Sequence, residues 1–147
     1  MKSRGHFRAG FDEYFGMPQG HWDNYFDPRL EHNGRMVPTR GFITDVITDY
    51  ALRFIEQHRD RPFFCYIPFH IAHAPLQAKE NYLAVIDPKD AANLPAASEK
   101  ATAEDKYVHA AMLHSMDKNV AAIRAELEKL KLSDNTIFVF TSDNGAM

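Results

Sequence analysis

The stretch Phe138-Val139-Phe140-Thr141-Ser142-Asp143-Asn144-Gly145 decides how the rest of the chain is read. An apolar run that begins at Thr136 stops abruptly at a carboxylate, a carboxamide and a glycine. A buried strand with that ending delivers two oxygen ligands, Asp143 and Asn144, at its carboxyl end, where open α/β sheets bind their ligands. Such oxygens suit a hard cation such as calcium or magnesium. The same three residues favour turn backbone, so taken alone the motif also reads as a plain turn. The upstream segments decide between the two.

Immediately before it, Val108, Met112, Met116, Val120, Ile123, Leu127 and Leu130 recur at spacings of three and four, which predicts a long helix with one apolar stripe. Ser133-Asp134-Asn135 supplies the turn into the strand at Thr136. Further upstream, Gln77 to Lys106 is polar and reads as a surface excursion, with a short helix around Lys79 to Val85. Phe63 to Phe69 is a continuous apolar run, suited to a strand buried on both faces of a parallel sheet. It leads into His70-Ile71-Ala72-His73-Ala74-Pro75-Leu76. Strand, helix, strand is a βαβ unit with a right-handed crossover. The two strands are then parallel, and His73 and Asp143 follow their carboxyl ends on one edge.

The N-terminal third is more varied. Thr44 or Asp45 can cap a helix reaching about His58, with Val46, Ile47, Tyr50, Ala51, Phe54 and Ile55 on its apolar face. Arg59-Asp60-Arg61-Pro62 ends it. His32-Asn33-Gly34 between two extended runs predicts a hairpin, and Pro28 and Pro38 confine it to an edge. Residues 5 to 26, rich in glycine and aromatic rings, read as packed irregular loop.

With 45% hydrophobic and 25% charged residues and a net charge of −3, the 147 residues have an ordinary soluble globular composition, with no bias toward nucleic acid. The lone Cys65 excludes an internal disulfide and sits in an apolar run, where burial is expected. No apolar run reaches transmembrane length, and the basic residues from Met1 to Arg8 lack the apolar stretch of a signal peptide. The compartment is not readable. A site-like motif so close to Met147 predicts a piece of a longer domain.

Several polar residues invite a functional reading. His73, in a Pro-containing loop after a buried strand and beside Asp143-Asn144, is a candidate catalytic residue. His70 and His73 lack a third ligand, so zinc is not expected. Asp45 and Asp49, four apart, are accounted for by an exposed helix N-terminal face favoured by the dipole. Gly20-His21-Trp22 is assigned to packing and the helix methionines to core. No Gly-x-Ser-x-Gly, P-loop or activated cysteine is present, so a hydrolase nucleophile has to come from elsewhere.

Several segments, in this order, resemble the sulfatase family of the alkaline-phosphatase superfamily. Gly10-Phe-Asp-Glu-Tyr-Phe-Gly16 resembles its Gly-Phe-Asp-x-Phe/Tyr-x-Gly segment, and Gly41-Phe-Ile-Thr-Asp-Val-Ile-Thr-Asp49 its Gly-Tyr-x-Thr-Asp helix entry. Pro62 to Phe69 followed by His73-Ala-Pro-Leu76 resembles the strand and the Pro-His-x-Pro-Leu loop, with Ala72 in place of the proline. Tyr107 to Asp117 and Asp134 to Gly145 resemble the helix and strand before the second half of the metal site.

The resemblance implies an α/β fold, part of an alkaline-phosphatase-like sandwich, with a mostly parallel sheet flanked by helices and a peripheral hairpin. Residues 1–147 would be the middle portion of an incomplete catalytic domain. It further implies that Asp143 and Asn144 bind calcium and that His73 touches the sulfate and protonates the departing alcohol. A formylglycine made from a Cys/Ser-x-Pro-x-Arg motif would attack sulfur; that motif is absent here, as are the paired N-terminal Asp ligands. The expected partner is a sulfated small molecule or glycan. The chain alone is expected to be inactive and to bind calcium weakly. The alternatives are a phosphonate or phosphate ester hydrolase of the same superfamily and a non-catalytic binding protein.

Overall fold

Three short strands, β1 (Phe15–Gly16), β2 (Arg29–His32) and β3 (Arg35–Pro38), form an antiparallel sheet in the order β1-β2-β3. The computed structural model describes residues 10–18, 24–94 and 100–142. Asn33 (φ 50°) and Gly34 (φ 87°) both take positive φ, the backbone of a two-residue type I′ turn. That turn pairs His32 with Arg35 and Arg29 with Pro38, and Pro38 lies on the edge strand as its missing N–H requires. The hairpin is therefore where the sequence places it. β1 is new: the turn residue Asn33 accepts from Tyr14 N at 2.8 Å and donates its own N–H to Tyr14 O at 3.0 Å. This holds part of the glycine-aromatic segment beside β2.

The helices are α1 (Ile43–His58), α2 (Glu80–Leu83), α3 (Pro88–Ala92) and α4 (Ala103–Lys129). Neither expected cap closes α1. Phe42 is its N-cap, in extended backbone, and Thr44 is buried. α3 interrupts the polar excursion because Asp87 accepts from Lys89 N at 2.8 Å and Pro88 occupies the first turn. α4 starts at Ala103 because Thr102 and Asp105 bond reciprocally as a capping box.

α1 and α4 pack on each other, and their seam corrects the predicted stripe. α4 buries Met112, Ser115, Asn119, Ile123 and Leu127, so Ser115 and Asn119 stand where Met116 and Val120 were expected. A shift of one residue turns the stripe by about 100°. At Asn119 the physical reason is Asp45 on α1, whose carboxylate receives the Asn119 side chain at 2.9 Å. A half-buried carboxylate favours a polar partner over an apolar one. Two apolar clusters flank this polar patch: Tyr25, Leu30, Phe42, Ile43 and Met112 on one side, and Ile55, Ile123 and Leu127 on the other.

The two apolar runs expected to be parallel strands carry no ladder among the described residues. Their exposure nevertheless alternates with the period of a strand. Phe63, Cys65, Ile67 and Phe69 are half-buried, while Phe64, Tyr66 and Pro68 are exposed. Phe63, Ile67 and Phe69 pack on the helices. In the second run Phe138 and Phe140 line a groove with Met116 and Val120 of α4, leaving Ile137 93% and Val139 75% exposed. Each run covers the helices with one face only, and the expected two-sided burial is not seen among the described residues.

Ile137→Lys combined with Val139→Lys is accordingly expected to leave the urea unfolding midpoint within the equivalent of about 0.5 kcal/mol. The same substitutions should lower self-association measured by light scattering, since they break an exposed apolar edge.

Candidate functional site

The loop after Phe69 carries His73 and is anchored at both ends. Its buried Ile71 sits in the first apolar cluster, and Leu76 and Ala78 pack against the same cluster. The His73 N–H closes a turn on the His70 carbonyl at 3.1 Å, which leaves the His73 side chain exposed. Nδ1 of His73 lies 2.7 Å from the Ala74 carbonyl. A carbonyl only accepts, so in the neutral ring the proton resides on Nδ1. Tyr25 reaches the same loop. Its hydroxyl lies 3.3 Å from the carbonyls of both His73 and Ala74, and its N–H donates to Gln77 Oε1 at 2.8 Å.

Beyond the loop, Lys79 Nζ donates to Asp45 Oδ2 at 2.8 Å, and Tyr82 donates to Oδ1 at 2.9 Å. With Asn119, these bonds make Asp45 the junction of α1, α4 and the segment entering α2. The exposed-face reading of Asp45 is therefore corrected, while Asp49 is exposed as expected. Burial raises the Asp45 pKa, but the bonds from Asn119, Lys79 and Tyr82 and the Lys79 charge outweigh it, and the net direction is down.

A depressed folded-state pKa contributes stability that is fully present above the unfolded carboxylate value. That stability is lost as pH falls through the folded value. Asp45→Asn is thus expected to cost about 2 kcal/mol at neutral pH. The difference from the unsubstituted chain should shrink below about pH 4, where the unfolded carboxyl protonates. Urea titrations across that range measure it.

The other candidates are set apart from His73. A cavity of about 330 Å³ lies between the N-terminal segment, α1 and the 63–70 run, with Cys65 and His70 in its wall. Burial pushes the Cys65 thiol up to about 11, so it stays protonated at neutral pH and is a poor nucleophile. Burial pushes the His70 pKa down, and its Nδ1 is buried with no partner among the described residues. Beside β2, Tyr50 donates to Glu13 and lies 2.6 Å from His32 Nε2. Tyr50 also stacks on Phe15, so this cluster fastens β1 to α1.

Among the described residues no group of three or more His, Cys, Asp or Glu is arranged to hold a metal ion. Asp143 and Asn144, the expected metal ligands, lie outside the described residues, as do His21 and Trp22. No described helix is long and apolar enough to cross a membrane.

The order of these parts, a Gly-Phe-Asp segment, an acidic helix entry, a histidine loop and a long helix leading to Ser-Asp-Asn-Gly, has counterparts in known proteins. A family model described as Sulfatase matches residues 1–147. This chain belongs to the sulfatase family.

Among its relatives, "Uncharacterized sulfatase YdeN" of Escherichia coli (strain K12) is 32% identical over 142 residues, covering 94% of this chain and 23% of that protein. N-acetylgalactosamine-6-sulfatase of Canis lupus familiaris is 31% identical over 158 residues, covering 95% of this chain and 27% of that protein. The sulfatase chain thus spans about a quarter of the length of these curated relatives. In three dimensions it is similar to Ps i-CgsB in complex with k-i-k-neocarrahexaose, with a TM-score of 0.73 and 27% identity, covering 88% of this chain and 31% of that one. The α/β, alkaline-phosphatase-like class is therefore the right one for these helices and strand-like runs.

Sequence reasoning missed Asp45 and Tyr25. Asp45 had a readable signal only in combination: Lys79, Tyr82 and Asn119 are scattered donors whose convergence depends on the fold. The buried tyrosine in the glycine-aromatic segment had none.

Proposed function

We propose that this sulfatase chain belongs to the active centre of a sulfuric ester hydrolase acting on a sulfated small molecule or glycan. The observation that supports it best is the exposed His73 ring, held by its Nδ1 on the Ala74 carbonyl at the end of a strand-like run. Such a ring exchanges protons through its other nitrogen, Nε2. In the hydrolysis of a sulfate ester the bond between sulfur and the alcohol oxygen breaks, and the departing oxygen takes a proton. His73, as imidazolium, gives that proton and is left neutral, a role suited to an imidazole near neutral pH.

Asp143 and Asn144 supply the carboxylate and carboxamide oxygens that a hard cation prefers, so the donor types fit calcium. Two donors are fewer than the six to eight oxygens calcium takes, and the others come from outside these residues. Calcium, when bound, supplies positive charge against the sulfate oxygens. The family's formylglycine nucleophile also has to come from outside, since no Cys/Ser-x-Pro-x-Arg motif occurs in this sequence. The 147-residue chain by itself is expected to bind calcium weakly and not to hydrolyse sulfate esters.

The test compares two preparations: this chain, and the full translated reading frame that contains it. Each is assayed on an aryl sulfate and an aryl phosphonate. Faster turnover of the sulfate by the full reading frame, with none by the chain, supports the proposal. Preference for the phosphonate overturns the substrate class. Turnover by the chain alone, lost in His73→Ala, overturns the expected inactivity.

A further inference from the structure

We propose that Tyr25 is the positioning residue that keeps the proton of neutral His73 on Nδ1, by holding the Ala74 carbonyl to which Nδ1 bonds. Tyr25 is 2% exposed, and its ring meets Phe42 edge-on with centroids 6.4 Å apart. Its backbone is tied on both sides. The N–H donates to Gln77 Oε1 at 2.8 Å, and the carbonyl accepts from Ile43 N, the first residue of α1, at 2.8 Å. The ring is therefore fixed to the start of α1 and to the far side of the His73 loop at once.

From that seat one hydroxyl proton is shared between the carbonyls of His73 and Ala74, each 3.3 Å away. Ala74 O thus receives both the Tyr25 hydroxyl and His73 Nδ1, the latter at 2.7 Å. A bond between a side chain and the neighbouring peptide is local and exposed, and by itself restrains an imidazole weakly. Fixing the peptide from the buried side fixes the acceptor. The bond at one ring nitrogen sets the tautomer and orientation presented by the other. The Tyr25 hydroxyl contacts no reacting atom in this arrangement and acts only through the loop.

The inference rests on reading His73 as the proton donor, but its test needs no substrate. Long-range proton–nitrogen spectra of the 147-residue chain at a pH where the ring is neutral report which nitrogen carries the proton. His58 serves as the internal control, because its Nδ1 lies 2.8 Å from the Phe54 carbonyl at the far end of α1. The unsubstituted chain should show Nδ1–H at His73. In Tyr25→Phe the His73 Nδ1 signal is expected to move toward that of a bare nitrogen, while His58 stays unchanged.

A Tyr25→Phe chain that folds and keeps the His73 signal in place overturns the proposal, as does an equal movement at His58. Should Tyr25→Phe not fold, Gln77→Met decides. It removes one of the two backbone ties of Tyr25, the bond from its N–H, and should produce a selective movement in the same direction and of smaller size; an unmoved His73 signal overturns the proposal. Failure here leaves the hydrolase reading intact, whereas a phosphonate preference removes that reading without altering the tautomer.

Discussion

In the full translated reading frame, His73→Ala is expected to slow hydrolysis of an alkyl or sugar sulfate by about 10²–10⁴-fold, the usual contribution of a general acid. The loss should be far smaller for an aryl sulfate with an acidic phenol. A basic alkoxide cannot leave without a proton, whereas an acidic phenol departs as the anion. The ratio of kcat/KM values across esters of graded leaving-group acidity separates this role from mere contact with the sulfate. A uniform loss across the series would mean that His73 only binds the sulfate group. The exposed ring and its Nδ1 bond to Ala74 are the structural grounds for expecting the graded result.

Phe42→Ala should be the most damaging single change to the scaffold, costing about 4 kcal/mol. For a chain of this size that corresponds to a fall in Tm of about 8–16 °C. Phe42 is fully buried, caps the start of α1 and contacts the rings of Tyr25 and Phe26, with centroids 6.4 and 5.2 Å away. It also bridges to Phe26 through the backbone. Removing its ring leaves a cavity where the sheet, α1 and the Tyr25 anchor meet. Circular dichroism melts and urea titrations should both show the loss. A change near the 0.5 kcal/mol expected for the exposed Ile137 would contradict this placement of the core.

Local chemistry explains which parts of the fold could be read directly. Asn33-Gly34 specifies its turn without help, because only residues that tolerate positive φ serve there. α1 could be read because its buried residues repeat at helical spacing over its whole length. The start of α4 and the existence of α3 were present as Thr102-x-x-Asp105 and Asp87-Pro88, signals outweighed by the polar composition around them. The middle of the α4 stripe could not be read from apolar periodicity. A polar seam has the opposite pattern: Ser115 and Asn119 both face inward, and Asn119 does so to bond a carboxylate on another helix.

The family likewise follows from the sequence, because His73-x-Pro-Leu and Ser-Asp-Asn-Gly are contiguous patterns that survive without coordinates. The hairpin and the principal helices were determined at that level, and His73 as proton donor and Asp143 and Asn144 as oxygen donors were put forward there as candidates. What holds His73 was decided only by the tertiary structure. Tyr25 lies 48 residues from His73, and Asp45 lies 34 from Lys79 and 74 from Asn119. Bonds across such separations leave no periodic trace in a sequence, because each partner is chosen by packing and by the cost of burying a polar group unpaired.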